Sequence, residues 1–304
     1  MSEVAAGGDH TWVFEAIGTR WVLTTAHALS QTQRLRVARL IEDYDRTFSR
    51  FREDSVVTRM SHAAGTFELP ECAGPLLETY RRLDELTCGA VTPLVGAALV
   101  HLGYGPDYRL RPLPGYLPAP VWEEVCSWDG RCLRTRIPLT LDIGAVGKGQ
   151  LVDLVMAEVL AADVSPDRGG DAPPAQLMVD AGGDLAHTGP ARRIGLEDPD
   201  DAGRVIGVVT SPAGALCASA TNRRSWAPGV HHVLDARSGR PTTGVRATWA
   251  AAPSAMIADA AATALFFQGP TRVADTLGVD ALVLHEDRGA AWTSSGIAQW
   301  EVFA

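Results

Sequence analysis

The sequence predicts an α+β fold in which mixed sheets pack against helices. Apolar stripes with helical spacing and short β-rich runs between turns are mixed along the 304 residues. They do not alternate strictly as βαβ units do, which favours α+β over a doubly wound sheet. The apolar fraction of 46% is that of a globular protein with a large core. We therefore expect one domain over residues 1–304, either undivided or built from two closely packed subdomains.

The first half of the chain is predicted to hold a hairpin and the longest helices. Two β-rich runs at residues 11–17 and 21–25 flank the turn at Gly18. Ser30 precedes an apolar stripe and is expected to cap a helix that ends near Arg46. Further helices are expected at residues 71–87, 93–102 and 148–162, a buried strand at 137–143, and two strands around Asp129 and Gly130.

The second half of the chain is predicted to consist mainly of short strands. The stretch at residues 163–175 is rich in Pro, Gly and Asp, and we expect an exposed insertion there. Two helices are expected at residues 254–268 and 271–277. Strands are expected at residues 176–180, 194–196, 205–210, 215–218, 231–234 and 281–285.

Charge and cysteine usage argue against several classes of protein. With 27 basic and 36 acidic residues the net charge is −9, which disfavours binding to nucleic acid or to an anionic membrane surface. Five cysteines without a C-x-x-C pair argue against a disulfide framework or a zinc ribbon. No run reaches the roughly 18 to 20 apolar residues of a membrane span, and the N-terminus lacks the pattern of a secretory signal. We expect a cytoplasmic protein.

A glycine-dense turn at residues 142–149 is the strongest local feature. An apolar run enters Asp142, and the turn then opens a helix at Lys148. Backbone N–H groups at glycines approach a ligand closely and a helix N-terminus attracts anions, so the turn suits a phosphate or diphosphate. The spacing fits neither the P-loop nor the G-x-G-x-x-G fingerprint. A tight strand-to-helix connection with a surface lysine is the alternative interpretation.

Asp259 and Thr263 are the best candidates for a cation site. On the predicted helix they stand four residues apart and share a face, so a carboxylate and a hydroxyl can reach one hard cation such as Mg²⁺. The alternative is an aspartate in a buried hydrogen bond and a threonine that bonds to its own helix.

Three further motifs carry polar or aromatic side chains. His231 and His232 are adjacent in a predicted strand and point to opposite faces, and one of them could serve as a general base near neutral pH. Asp184 follows two glycines between apolar runs, where it could bind backbone amides. Phe51 follows the first long helix and could stack on a planar ring or join the core.

The order of these motifs along the chain resembles the ApbE family of FAD:protein FMN transferases. The resemblance implies an ApbE-like, T-fold-like α+β fold. It also implies a Mg²⁺-dependent reaction that cleaves FAD, attaches FMN to a Thr or Ser of an acceptor flavoprotein and releases AMP. The matching pieces lie at residues 18–19, 48–55, 91–95, 103–104, 142–149, 180–184, 219–226, 231–241 and 258–269.

The resemblance implies a set of FAD-binding and catalytic residues. Asp142 and Lys148 would contact FAD, and His232 would activate the incoming hydroxyl. Ile17 and Phe51 stand where the family usually has a Met and a Tyr against the flavin. The remaining flavin contacts that we expect are Ala90, Val91, Thr92 and the backbone of Val233.

The resemblance also implies a metal site around Asp259. The Asp259 carboxylate would hold Mg²⁺ and so take part in catalysis, together with the Thr263 hydroxyl and the Ala145 carbonyl, with Ala262 beside them. Three such oxygen ligands leave positions in an octahedral shell for diphosphate oxygens.

The chain departs from the family pattern near the expected flavin. Thr92 stands where Asp is usual, Gln150 replaces a common aromatic residue, and Ala236 stands where Pro is usual after Asp235. The expected metal ligands are retained. Two alternatives to the transferase use the same site: an FAD diphosphatase that produces FMN and AMP, and a non-catalytic protein that binds FAD.

Overall fold

Helices and antiparallel sheets make up the computed structural model, which describes residues 2–4, 9–163 and 176–303. The predicted insertion at residues 163–175 lies outside these ranges, except for Asp163, where a helix ends. A 3₁₀ turn at Pro93–Val95 precedes the fourth helix. The helices are α1 (Gln31–Phe48), α2 (Val56–His62), α3 (Ala73–Thr87), α4 (Gly96–His101), α5 (Trp122–Val125), α6 (Gly147–Asp163), α7 (Ala255–Ala264) and α8 (Pro270–Leu277).

The strands are short and belong to several sheets. In chain order they are β1 (Ser2–Val4), β2 (His10–Ala16), β3 (Thr19–Thr25), β4 (Gly65–Glu68), β5 (Cys126–Trp128), β6 (Cys132–Thr135), β7 (Leu177–Asp180), β8 (Asp184–His187), β9 (Arg192–Asp198), β10 (Asp201–Ser211), β11 (Gly214–Ala220), β12 (Ser225–Ala227), β13 (Val230–His231), β14 (Leu234–Asp235), β15 (Arg240–Pro241), β16 (Val245–Ala252), β17 (Asp280–His285), β18 (Ala290–Thr293) and β19 (Gln299–Val302).

Two antiparallel sheets carry most of the fold. The larger has the order β1-β2-β3-β7-β8-β11-β16-β17-β18, and the smaller has the order β19-β10-β9. The three-stranded sheet β4-β6-β5 and the pairs β12-β13 and β14-β15 complete the strands of the described ranges. Together with the helices they form a mixed α+β architecture, as the sequence predicts.

The nine-stranded sheet is covered on both faces in its central part. On one face Ala250 and Ala252 of β16 pack into a cluster that includes residues of α1, α3, α6 and α7. On the other face Trp249 of β16 packs with Leu196 and Val209 of the smaller sheet. Successive side chains of a strand point to opposite faces, so β16 contributes to both clusters. The sequence did not predict this strand, because burial on both faces removes the polar alternation and alanine has a low strand propensity.

Local signals explain where two of the helices begin. The Ser30 hydroxyl accepts the Gln33 N–H at 3.2 Å, and the Gln33 side chain accepts the Ser30 N–H at 2.8 Å. This reciprocal capping box confirms the predicted start of α1. Ser254 caps α7 in the same position, accepting the N–H of Ile257.

A glycine allows α6 and α7 to touch through their backbones. A Cβ atom at Gly149 would lie 2.2 Å from the Ala255 carbonyl oxygen and 2.7 Å from Cβ of Asp259. Only a residue without a side chain fits there. The close approach lets the Gly149 N–H donate to the Asp259 carboxylate at 3.0 Å, which fixes that side chain.

The predicted buried strand at residues 137–143 is wrong. Leu139 and Leu141 are buried, as expected, but the segment has no strand conformation. Its backbone bonds to other elements instead, as in the 2.9 Å bond from the Leu139 N–H to the Met60 carbonyl. A short apolar run shows burial but does not distinguish a strand from an irregular buried segment.

The predicted strand at residues 231–234 is also wrong as a single element. It is divided into β13 and β14, and the N–H of His232 donates to the carbonyl of Arg224 at 3.2 Å between them. The two histidines therefore do not face opposite sides of one strand.

None of the helices in the described ranges is long and apolar enough to cross a membrane.

Candidate active site

A cavity of about 950 Å³ opens where the turn between β2 and β3, the end of α1, the start of α6 and the end of β11 meet. Six of the side chains that the sequence assigned to a site line this cavity. They come from widely separated parts of the chain, so folding brings them together. These six residues are Ile17, Phe51, Asp142, Lys148, His232 and Asp259.

Asp142 is held in a fixed orientation by neighbouring donors. Arg50 Nε donates to one carboxylate oxygen at 2.5 Å, and the Gly144 N–H donates to the other at 2.8 Å. Burial opposes ionisation, but the Arg50 charge and these bonds hold the pKa of Asp142 below its ordinary value. Asp142 is therefore an ionised hydrogen-bond acceptor at the first position of the glycine turn.

Lys148 extends from the first turn of α6 to the glycine loop after β7. Its ammonium lies 3.2 Å from the carbonyl oxygens of Ala181 and Gly182 and 3.3 Å from an Asp184 oxygen. The two carbonyls accept hydrogen bonds, whereas Asp184 is an ion-pair partner whose two carboxylate oxygens have no hydrogen-bond partner in the described structure. Lys148 thus binds the Gly182–Gly183 loop to α6.

Two buried carboxylates lie at the base of the cavity. Asp184 is fully buried and Asp259 is 3% exposed. Burial raises the pKa of Asp184, and Lys148 offsets part of that effect. Burial and the charge on Asp184 raise the pKa of Asp259 well above its ordinary value. With one lysine beside two carboxylates, the base of the cavity has an excess of negative charge when both are ionised.

This charge excess and the hard oxygen donors fit a divalent cation better than they fit an empty hydrophobic pocket. Thr263 lies on α7 four residues beyond Asp259 and is half-buried, as the helical spacing predicts. The Ala145 carbonyl lies just before α6, whereas the Ala262 carbonyl accepts a 2.6 Å bond from the Thr248 hydroxyl. Ala145, Ala262 and Thr263 do not line the cavity itself. Within the described ranges no group of three or more His, Cys, Asp or Glu side chains could hold a metal on its own.

His232 is neutral in this environment. Burial, and secondarily the positive charge of Arg224, lowers the pKa of His232 to about 3. Its Nδ1 atom is buried and has no hydrogen-bond partner among the residues that the structure describes. A neutral imidazole with an unused nitrogen is able to accept a proton.

Aromatic rings form one wall of the cavity. Phe51 lies 5.3 Å from Tyr108 in a stacked arrangement and 5.4 Å from Tyr104 in an edge-on one. The Arg50 guanidinium lies 4.2 Å from the Phe51 ring centroid, so the ring that was a candidate for stacking already has partners. Ile17 also lines the cavity, from the turn between β2 and β3, and its φ of +45° is unusual for a β-branched residue.

The remaining predicted flavin contacts do not line the cavity. Their polar backbone or hydroxyl atoms have bonds within the protein. The Ala90 carbonyl accepts the Ala236 N–H at 3.0 Å, and the Thr92 hydroxyl accepts the Leu94 N–H at 3.3 Å. The Val91 N–H donates to the Thr87 hydroxyl, and the Val233 carbonyl accepts the Thr242 N–H. These four residues are buried, and none lines the cavity.

The sequence matches the ApbE family over residues 17–283. The chain belongs to the ApbE family. It is 31% identical over 251 residues to a Rhodobacter capsulatus protein named FAD:protein FMN transferase, a match that covers 76% of this chain and 46% of that protein. A Vibrio cholerae protein of the same name is 27% identical over 261 residues, a match that covers 80% of this chain and 75% of that protein. The chain thus spans about half the length of the Rhodobacter relative.

Solved ApbE structures share the fold. The ApbE protein of Thermotoga maritima aligns with a TM-score of 0.79 at 24% identity, covering 95% of this chain and 98% of that one. The flavin transferase ApbE of Vibrio cholerae aligns with a TM-score of 0.75 at 22% identity, and the alignment covers 98% of this chain and 99% of that one. The ApbE-like α+β fold predicted from the sequence is confirmed.

Two departures from the usual ApbE sequence have a structural explanation. Gln150 is buried, accepts the Tyr44 hydroxyl at 2.9 Å and donates to the Cys72 carbonyl at 2.7 Å. Ala236 donates its N–H to the Ala90 carbonyl, a bond that a proline could not make. Both residues therefore take part in internal hydrogen bonds.

Two basic residues of the ApbE cavity are not predicted by the sequence motifs. Arg50 directly precedes Phe51, and in the structure it fixes Asp142 and lies against the Phe51 ring. Arg224 lines the cavity and was not singled out. Its place directly before β12, in the segment that resembles the family between residues 219 and 226, is the signal that could have identified it.

Proposed function

We propose that this chain is an FAD:protein FMN transferase that cleaves FAD and attaches FMN to a hydroxyl of an acceptor flavoprotein. The observation that carries the proposal is the cavity, which gathers Asp142, Lys148, His232 and Asp259 from separate segments. The ApbE resemblance assigns these residues to FAD, the metal and the acceptor hydroxyl. The volume of about 950 Å³ is at the upper end of ligand sites, as a dinucleotide requires.

In the proposed reaction, the acceptor hydroxyl oxygen attacks the phosphorus of the FMN half. A new P–O bond joins FMN to the acceptor, and the P–O bond to the bridging oxygen breaks, so that AMP leaves with that oxygen. His232 would take the hydroxyl proton, which AMP or solvent then receives. The negative charge of a bound diphosphate would raise the basicity of the His232 imidazole, which the protein alone holds neutral.

We propose that Asp259, with the Thr263 hydroxyl and the Ala145 carbonyl, would hold Mg²⁺. When bound, the ion would neutralise charge on the diphosphate during transfer. The Gly149 N–H keeps the Asp259 carboxylate oriented, and Lys148 keeps the glycine loop in place beside it. These residues would thereby prepare the site before substrate enters.

Product analysis tests the proposal. The protein is incubated with FAD and Mg²⁺, with and without the apo form of a flavoprotein from the same genome. We expect the acceptor to gain the mass of one FMN and AMP to appear in equal amount. Asp259→Asn should abolish both products, whereas Asp275→Asn, an exposed carboxylate of α8, should not.

Other products would identify other functions. AMP and free FMN without an acceptor would identify an FAD diphosphatase that uses water as the nucleophile. Bound FAD without any AMP would identify a non-catalytic FAD-binding protein. A cytoplasmic location of the reaction stays a prediction, and fractionation of cells that express the protein would test it.

A further inference from the structure

The basic side chains of the cavity differ in whether they are free to bind an anion. Five cationic side chains line it: Arg50, Arg52, Lys148, Arg223 and Arg224. A diphosphate needs at least one of them in addition to a metal ion, because acidic side chains also surround the cavity. The partners that each cation already has within the protein therefore decide which one binds the ligand.

Four of these cations are committed to carboxylates of the protein. Arg50 is paired with Asp142 at 2.5 Å, and its Nη2 atom, which has no hydrogen-bond partner in the described structure, is buried. Lys148 is paired with Asp184 at 3.3 Å. Arg52 is surrounded by three carboxylates, at distances of 2.9 to 3.2 Å. Arg223 is paired with a carboxylate of β9, Glu197, at 2.8 Å.

Arg224 is different from its four neighbours. Across residues 2–4, 9–163 and 176–303, its guanidinium has neither a hydrogen bond nor an ion pair. The side chain is exposed on the cavity wall, so nothing in the described structure competes with a ligand for its five N–H donors.

The position of Arg224 is set by its backbone. Its carbonyl accepts the N–H of His232 at 3.2 Å, which places the backbone of Arg224 beside that of the proposed base. Trp226, two residues later, is held by a 2.9 Å bond from its indole N–H to the Leu102 carbonyl and stacks on Tyr104 at 5.2 Å. The charge of Arg224 also acts on the pKa of His232, where it is the largest cause after burial.

We propose that Arg224 binds the diphosphate of the dinucleotide substrate through its guanidinium, which is unpaired among the described residues, in addition to the FAD contact that the family resemblance implies for Lys148. This inference rests on the proposed function, because FAD supplies the diphosphate. A guanidinium matches the geometry of two phosphate oxygens and binds them through two parallel N–H bonds. In the structure, the Lys148 ammonium also holds the glycine loop through the Ala181 and Gly182 carbonyls.

Binding measurements without Mg²⁺ test the assignment, because EDTA prevents turnover. Flavin fluorescence gives the Kd for FAD and for riboflavin, which has the ring but no phosphate. We expect Arg224→Gln to weaken FAD binding tenfold or more and to leave riboflavin binding unchanged. Arg224→Lys should recover part of the lost affinity, because it restores the charge but not the paired N–H geometry.

The adjacent arginine provides a matched control. Arg223→Gln removes the same charge one residue earlier, but from a side chain that is paired with Glu197. We expect its FAD affinity to stay within twofold of the wild type. The salt dependence of FAD binding should be weaker in Arg224→Gln than in Arg223→Gln, because only the former loses a contact with the ligand.

Three results would overturn the assignment. The first is that Arg224→Gln binds FAD as tightly as the wild type. The second is that Arg224→Gln loses affinity for FAD and for riboflavin by the same factor. The third is that Arg223→Gln loses as much FAD affinity as Arg224→Gln. If the wild type binds no FAD, the proposed function fails, and inorganic pyrophosphate is then the probe. Pyrophosphate binding that depends on Arg224 would still support the anion site, and its absence would overturn the site as well.

Discussion

At the scale of single residues, the cavity is organised by pairs of opposite charge. Asp142 is ionised because Arg50 is 2.5 Å away, whereas Asp259 is buried, and its main charged neighbours are another carboxylate and one lysine. The same residue type therefore has its pKa lowered at one position and raised at the other. A bound cation would therefore stabilise the ionised form of Asp259 more than that of Asp142, which already has a cationic partner.

Replacement of Asp259 by Asn should remove the response to Mg²⁺. The amide is nearly isosteric and can still accept the Gly149 N–H, so the variant should fold. We expect millimolar Mg²⁺ to raise the Tm of the wild type, as any ligand of the native state does, and to leave the Tm of Asp259→Asn unchanged. Thermal unfolding with Mg²⁺ and with EDTA measures this. Equal shifts in the two proteins would show that Mg²⁺ binds elsewhere.

His232 should stay neutral from pH 8 down to pH 5. Its pKa in the folded chain is about 3, below its ordinary value, so between these two values the unfolded chain binds a proton that the folded chain does not. Its contribution to stability is therefore complete above about pH 6.5 and declines as the pH falls. The free energy of unfolding should drop by about 1–2 kcal/mol more in the wild type than in His232→Gln between pH 8 and pH 5.

The NMR signal of the His232 ring provides an independent measurement. It is assigned as the resonance that is missing in His232→Gln. A flat titration curve from pH 8 to pH 5 is expected, and an inflection near pH 6.5 would contradict the neutral, buried imidazole described above.

At the scale of secondary structure, close contact between α6 and α7 determines the base of the cavity. The N-terminus of α6 carries Gly149 against the Ala255 carbonyl, and α7 carries Asp259. The cap at Ser30 is predicted by the sequence, because capping is a local interaction over three residues. The contact between the two helices is not, because it joins residues more than a hundred positions apart.

Gly149→Ala should separate the two helices. The added methyl group would lie 2.2 Å from the Ala255 carbonyl oxygen, so the backbones have to move apart, at a cost of about 1–3 kcal/mol or more. Chemical denaturation measures the loss. Gly74→Ala in α3 is the matched control, because nothing lies within 4 Å of its added methyl group.

For Gly74→Ala we expect a gain of roughly 0.5–1 kcal/mol, since alanine restricts the unfolded chain and favours the helix. If Gly149→Ala were as stable as the control, the close approach of α6 and α7 would be in doubt.

At the scale of the whole molecule, the nine-stranded sheet joins two hydrophobic clusters. The larger lies between this sheet and the helices, and the smaller lies between this sheet and β9, β10 and β19. Because β16 contributes side chains to both, disruption of one cluster should affect the other. The sequence predicts one domain, undivided or built from two closely packed subdomains, and we expect it to unfold as one cooperative unit.

Substitutions in the two clusters test this prediction. Leu151→Ala removes a fully buried side chain of α6 in the larger cluster, and Leu282→Ala removes one of β17 in the smaller. Each should cost about 2–5 kcal/mol. Calorimetry should show one transition that moves to lower temperature in both variants. Two transitions, each lowered by only one of the substitutions, would indicate independent domains.

The sequence by itself determined the fold class, the cap of α1, the family and six residues of the cavity wall, because short motifs and local hydrogen bonds are encoded in neighbouring positions. Only the tertiary structure decided which charges are already paired. Lys148 and Arg224 are both basic in the sequence, yet one faces Asp184 and the other faces the cavity without a partner among the described residues. Ion pairing depends on distances between remote segments, and these are set by the packing of the sheet against α6 and α7.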